Sequence, residues 1–159
     1  NHTRSMPHIV LHQPEIPPNT GNIIRLCANT GTNLHLVHPL GFTMTKKSLR
    51  RAYLDYEEFT KITHHNNIME MNEYFSGRGY YAISTKGKTP FNTVSFKESD
   101  VFLFGNETGG LPKNALSSKE CLDVLRVPMV EESRSINLAN TVSIVIYEAL
   151  RQMDYPNLT

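Results

Sequence analysis

A single α/β domain, with a mostly parallel sheet flanked by helices, is predicted by three features of this 159-residue chain. Short β-branched or aromatic runs alternate with helix-compatible stretches, the pattern of βαβ units. The later strand candidates each run into a loop rich in Gly, Pro or Ser. The chain closes on VPMVEESRSINLANTVSIVIYEALRQM, residues 127–153, where a polar loop enters a long apolar-periodic helix.

In chain order, HIVLH (8–12) is a short apolar strand followed by QPEIPPNTGN. Pro14, Pro17 and Pro18 stiffen that loop and exclude regular structure from it. Asn19 or Thr20 then caps a helix through IIRLCAN, which Gly31 terminates. NLHLV (33–37) alternates like a second strand, and Pro39-Leu40-Gly41 turns the chain. A basic stretch with Lys46, Lys47, Arg50 and Arg51 reads as a helix, residues 59–63 as a strand and 68–75 as a helix. YYAIS (80–84) is a strand ending in TKGKTP, and VFLF (101–104) is the clearest buried strand, running into GNETGGLP. Pro112 starts a short helix, and residues 124–127 form the last strand, which Pro128 ends.

In the final helix, Leu138, Val142, Val145, Ile146, Ala149, Leu150 and Met153 share one stripe at helical spacing. Asn137 or Ser135 is its N-cap. The run SIVIY opposes a helix locally, because β-branched residues lose rotamer freedom there, but length and stripe decide for helix. Ile144 and Ala139 lie beside the stripe. A helix apolar over so wide an arc has two partners, one in the core and one in another subunit, so a homodimer is expected.

Length fits one domain over residues 6–159, and Asn1 to Ser5 read as an appended remnant. The formal charge of +1 gives no global basic signal, so nucleic-acid contact must come from a local patch. Cys27 and Cys121 lie far apart with no C-x-x-C spacing, which argues against a zinc site or disulfide scaffold and suits a cytoplasmic location. No apolar run approaches the ~18 residues that cross a membrane, and no signal peptide opens the sequence. Seven histidines invite a metal, but His64 and His65 are adjacent and point apart, and His35 and His38 have no Cys or carboxylate motif beside them. They read as structural or surface histidines, with no metal expected.

Ligands of open α/β sheets bind beyond the carboxyl ends of the strands. TKGKTP, GNETGG and PMVEESRSIN all follow strands, so all three are expected at one rim; taken singly, their glycines would be explained by turns alone. Ser133, Ser135 and Asn137 gather hydroxyls and free N–H groups at a helix start, a place that either caps a core helix or binds an anionic or nucleotide edge. The rim is not a P-loop, because Gly105 to Gly110 continues into Leu111-Pro112 where Lys and Ser/Thr are required. Nor is it a Rossmann dinucleotide site, since the first turn is PEIPPNTG rather than G-x-G-x-x-G.

Three blocks, PEIPPNTGNIIRLCANTG, FLFGNETGGLP and RVPMVEESRSINLANTVSIVIYEALRQ, resemble the SPOUT class of RNA methyltransferases, and within it the small tRNA 2′-O-methyltransferases that act on the wobble nucleotide. HPLGF and LRRAYLDY are similar to the same subfamily, so the resemblance runs from Met6 through nearly the whole chain. It implies a fold whose C-terminal segment makes a deep trefoil knot, an exception to the rule that chains do not thread loops. It also implies a homodimer that transfers a methyl group from S-adenosyl-L-methionine to the ribose 2′-hydroxyl of cytidine or modified uridine at tRNA position 34.

Carried over by position, the resemblance places the cofactor against Ile83, Gly105, Val127 and Ser135, with Ile136 and Leu138 close by. It gives Arg25 the catalytic role, either holding the phosphate or steadying the developing alkoxide, since arginine stays protonated in proteins. Asn19 is expected to shape the same loop, Glu107 to orient a substrate or cofactor hydrogen bond, and Tyr147 to line the dimer interface. Lys46, Lys47, Arg50 and Arg51 offer phosphate contacts for the tRNA anticodon region, or simply a solvated helix face. Asn106 and Gly109 depart from the commoner family pattern of Pro and a larger or basic residue, which puts an RNA contact at Gly109 in doubt. The alternative is a non-catalytic RNA-binding or assembly module on the same fold, which would be free to lose Arg25 and the SRSIN loop.

Overall fold

Alternating buried strands and amphipathic helices condense into one parallel sheet with helices on both faces. The computed structural model describes residues 5–45, 47 and 61–159. Its strands are β1 (His8–His12), β2 (Asn33–Val37), β3 (Thr63–His65), β4 (Tyr80–Ile83), β5 (Thr89–Pro90), β6 (Val101–Phe104) and β7 (Cys121–Arg126). They lie in the order β3-β2-β1-β6-β4-β7-β5, and every pairing is parallel. The helices are α1 (Pro17–Thr30), α2 (Ile68–Tyr74), α3 (Lys113–Ser117) and α4 (Leu138–Gln152).

The central strands are apolar at successive positions because both faces of the sheet are covered. Phe102 and Phe104 of β6 join Ile9 and Leu11 of β1 in a core completed by Ile23 and Ile24 of α1 and Val142, Ile146 and Leu150 of α4. Val101 and Leu103 face the other way, with Val10, Tyr80, Ala82, Met71 and Phe75. On the first face α1 packs against α4. Gln152 of α4 reaches the segment before β6, donating to the Val94 carbonyl at 2.9 Å and accepting from the Phe96 amide at 2.8 Å.

Several boundaries differ from the sequence reading. Helix α1 starts at Pro17, not after Asn19 or Thr20, because prolines fill the first turn, where the N–H they lack would have no partner. Ile16 is its N-cap, so Asn19 and Thr20 are released from capping. Gly31 ends it as expected, in the left-handed conformation with φ 75°. Strand β7 begins three residues before Val124, and β3 covers Thr63–His65, where the expected strand 59–63 has residues 59 and 60 outside the described residues. Of the expected basic helix, Lys46, Arg50 and Arg51 lie outside the described residues, which include Lys47, and all of LRRAYLDY lies outside them. Asn137 is the N-cap of α4, its side chain accepting from the Asn140 amide at 3.2 Å. Ala139 belongs to the core, so the outward apolar face of α4 is carried by Ile144 and Tyr147, 39% and 45% exposed.

Candidate functional site

The carboxyl ends of β4, β6 and β7 converge on a cavity of about 470 Å³, inside the roughly 300–1,000 Å³ range of small-molecule sites. Each strand delivers an apolar residue and then a loop. Ile83, Ser84, Thr85 and Lys86 come from the end of β4; Phe104 and residues 105–111 from β6; Val127, Met129 and residues 134–137 from the stretch after β7. Leu138 and Thr141 of α4, with Ile16 and Asn19 at the start of α1, close it. The three rim loops thus lie together, and Ile83, Gly105, Val127, Ser135, Ile136 and Leu138 all belong to one wall.

The β6 loop has its shape because Gly105 has no side chain. A Cβ there would lie 2.2 Å from the Gly110 carbonyl carbon and 2.4 Å from the Leu111 nitrogen. The loop therefore folds back onto its own first residue, closed by a bridge between Asn106 and Gly110 and by the Gly109 amide donating to Asn106 Oδ1 at 2.7 Å. Close approach of backbone to backbone, rather than room for a ligand, is what this glycine supplies.

Glu107 turns out to serve helix α1. Its carboxylate accepts from the backbone amides of Glu15 at 2.9 Å and Ile16 at 2.8 Å, and from Asn19 Nδ2 at 3.2 Å. These amides lie at the helix start, where intrahelical acceptors are lacking and the dipole favours negative charge. Asn19 Oδ1 in turn accepts from Asn137 Nδ2 at 3.1 Å. The chain Glu107–Asn19–Asn137 therefore ties the β6 loop, the first turn of α1 and the cap of α4 together around the cavity. Thr108 adds a short hydrogen bond to the Glu15 carboxylate. Asn137 entered the sequence reading as a cap or as part of an anion-binding helix start; its bond to Asn19 depends on a partner 118 residues away.

Arg25 is half-buried on α1 and is not part of the cavity wall. It sits six residues beyond Asn19, about 9 Å further along the helix axis. Lys46 and Arg50 fall outside the described residues. Tyr147 is on α4 away from the cavity, while Lys86 and Arg134, not singled out from the sequence, stand in the wall. Among the described residues no group of three or more His, Cys, Asp or Glu side chains is arranged to hold a metal ion.

The SpoU rRNA Methylase family pattern matches residues 6–147. The chain is 50% identical over 151 residues to the tRNA (cytidine(34)-2′-O)-methyltransferase of Escherichia coli K12, covering 95% of this chain and 96% of that one. It is also 50% identical over 147 residues to the protein of that name from Methylovorus glucosotrophus, covering 92% and 96%. A solved structure concerned with 2-OH methylation of C/U34 on tRNA superposes with a TM-score of 0.86 at 39% identity, over 94% of this chain and 97% of that one. An AdoMet-bound rRNA methyltransferase from Sinorhizobium meliloti, at 24% identity and TM-score 0.81 over 96% of this chain and 59% of its own, shares the fold. By this match along nearly its whole length, the chain belongs to the SpoU rRNA methylase family.

Proposed function

We propose that this protein transfers a methyl group from S-adenosyl-L-methionine to the ribose 2′-hydroxyl of nucleotide 34 of tRNA, cytidine or modified uridine. The observation that carries the reading is the cavity built by three rim loops, in a chain half identical to tRNA (cytidine(34)-2′-O)-methyltransferases from end to end. The residues present suit the cofactor. Ile83, Phe104, Val127 and Leu138 offer apolar surface to a flat ring, and Ser84, Thr85, Ser135 and Thr141 offer hydroxyls to its polar edges. When bound, the cofactor supplies an electrophilic methyl group on a sulfonium.

A ribose hydroxyl is a weak nucleophile, so the chain's own task is alignment and stabilisation of the developing oxyanion. Glu107, Asn19 and Asn137 hold α1 against the cofactor wall and act as positioning residues, since each is occupied by protein partners. Arg25 is assigned to the phosphate or the developing alkoxide, which requires the RNA to reach α1 as well as the cavity. The working form is a homodimer joined through the outward face of α4 around Ile144 and Tyr147; a monomeric mass by light scattering at micromolar concentration contradicts this. The C-terminal segment is read as knotted, a reading supported by membership of the SpoU rRNA methylase family.

The test is mass spectrometry of digested tRNA after incubation with labelled S-adenosylmethionine. Label on the ribose of nucleotide 34 is expected, and label on a base or at another position overturns the reading. In single-turnover reactions at saturating enzyme and cofactor, Arg25→Ala should slow transfer roughly a hundred-fold with cofactor affinity retained. An unchanged rate constant with weaker tRNA binding makes Arg25 a binding residue only.

A further inference from the structure

The cavity wall contains two cations, Lys86 and Arg134, on loops that follow different strands. Both are exposed, and neither forms an ion pair among the described residues. Three arginines are engaged within the protein: Arg151 with Glu148 at 2.9 Å, Arg78 with the Ser99 carbonyl and over the Phe75 ring, and Arg126 with the Thr85 carbonyl. The last contact matters here, because it fastens the residue beside Lys86 to the end of β7 and so fixes the two loops relative to each other.

Acidic residues near the pair are turned aside. Glu131 and Glu132 precede Arg134, yet neither lines the cavity. The Ser133 hydroxyl and amide both donate to the Val130 carbonyl, at 2.7 and 3.2 Å, closing a turn with the two glutamates at its corner and Glu132 at φ 63°. Glu107 is the carboxylate of the wall, and three donors of α1 and its approach already occupy it. The cavity wall thus carries two cations against the single carboxylate of Glu107, whose oxygens are turned to α1.

We propose that Lys86 and Arg134 form a clamp for the RNA phosphates that flank the methylated nucleotide, an inference that rests on reading the cavity as a tRNA methyl-transfer site. Two cations on loops that follow the paired strands β4 and β7 suit successive phosphates of one backbone, and phosphate contacts of this kind set register rather than sequence. The cofactor's own carboxylate is the competing anion, and the two are separable by experiment.

The experiment measures tRNA affinity against salt concentration for the wild type, Lys86→Ala, Arg134→Ala, Lys86→Arg and Arg134→Lys, with cofactor affinity measured by calorimetry on the same proteins. Each alanine variant should lower the log–log salt slope by about 0.7–0.9 and weaken tRNA binding roughly tenfold at moderate salt. The charge-conserving variants should keep the wild-type slope, and cofactor affinity should stay unchanged throughout. An unaltered slope in both alanine variants overturns the clamp. So does a loss of cofactor affinity, which would assign these cations to the methionine carboxylate. Wild-type protein that binds tRNA but does not methylate it would overturn the functional reading instead, and the salt slopes would still decide the clamp.

Discussion

The cavity rim and the row of histidines on β1, β2 and β3 are both polar, yet they are built in opposite ways. At the rim, loops stand open at the carboxyl ends of the strands and much of the wall is backbone, apolar side chain or exposed hydroxyl. In the histidine row, His8 Nδ1 lies 2.9 Å from His35 Nε2, and His35 Nδ1 lies 3.0 Å from His65 Nε2, with Tyr74 and Phe75 packed on the rings. His35 and His65 are 1% and 4% exposed. The row spends its hydrogen-bonding capacity on itself, whereas the rim leaves capacity for a ligand. Polar content alone therefore does not mark a site; what matters is whether partners inside the protein have already taken it.

The largest effect that sharpens this contrast is expected at Gly105. Gly105→Ala places a Cβ against the backbone of Gly110 and Leu111, so the β6 loop cannot close and cofactor binding by calorimetry should be lost. Gly109→Ala is the matched control: its Cβ would meet only Asn106 Oδ1 at 3.4 Å, and binding should change less than about twofold. Equal tolerance at both positions would show that loop closure does not make the wall.

Next in size is Glu107. Glu107→Ala removes the acceptor for two amides at the start of α1 and frees Asn19. A lost helix cap costs about 1–2 kcal/mol, or roughly 2–8 °C in melting temperature for a domain of this size. The methylation rate should fall further than that instability explains, because α1 loses its register against the cavity. A variant as stable and as active as the wild type would deny Glu107 its positioning role.

A smaller, graded effect belongs to the histidine row. Burial, then the Arg78 guanidinium, lowers His8 from 6.5 to about 4. Burial, then His8 and His65, lowers His35 to about 3. Burial and His64 lower His65 as well, against an opposing pull from Glu70. Values below those of the unfolded chain mean that the unfolded state binds more protons, so stability is complete above about pH 6.5 and is lost as pH falls toward 4 and then 3. Urea melts across this window should show the decline, flatter in His35→Gln. A wild-type stability constant from pH 7 to pH 4 would contradict the arrangement.

How much of this was legible follows from the range of the interactions. β2 and β6 match their predicted bounds because each is an apolar run punctuated by turn residues. The start of α1 was misplaced because Pro17 and Pro18 were read as breakers, when proline suits a first helical turn. β5 went unseen, being two residues long and half proline. The three rim loops were identified from composition, and the structure brings them together. The work of Glu107 could not be read, since its partners lie 88 to 92 residues earlier in the chain. The part Gly105 plays in folding its loop could not be read either: the sequence shows a glycine in a loop but not that the loop returns to meet it.

The central claim is that the rim is open to the cofactor while the histidine row is closed on itself. Backbone amide NMR during titration with S-adenosylmethionine tests it most directly. The account predicts saturable shifts at Ile83, Gly105, Val127 and Leu138, carried along Glu107, Asn19 and Asn137, with one cofactor bound per chain and the amides of His8, His35 and His65 unmoved. Shifts centred on the histidine row, or none anywhere at millimolar cofactor, would contradict it.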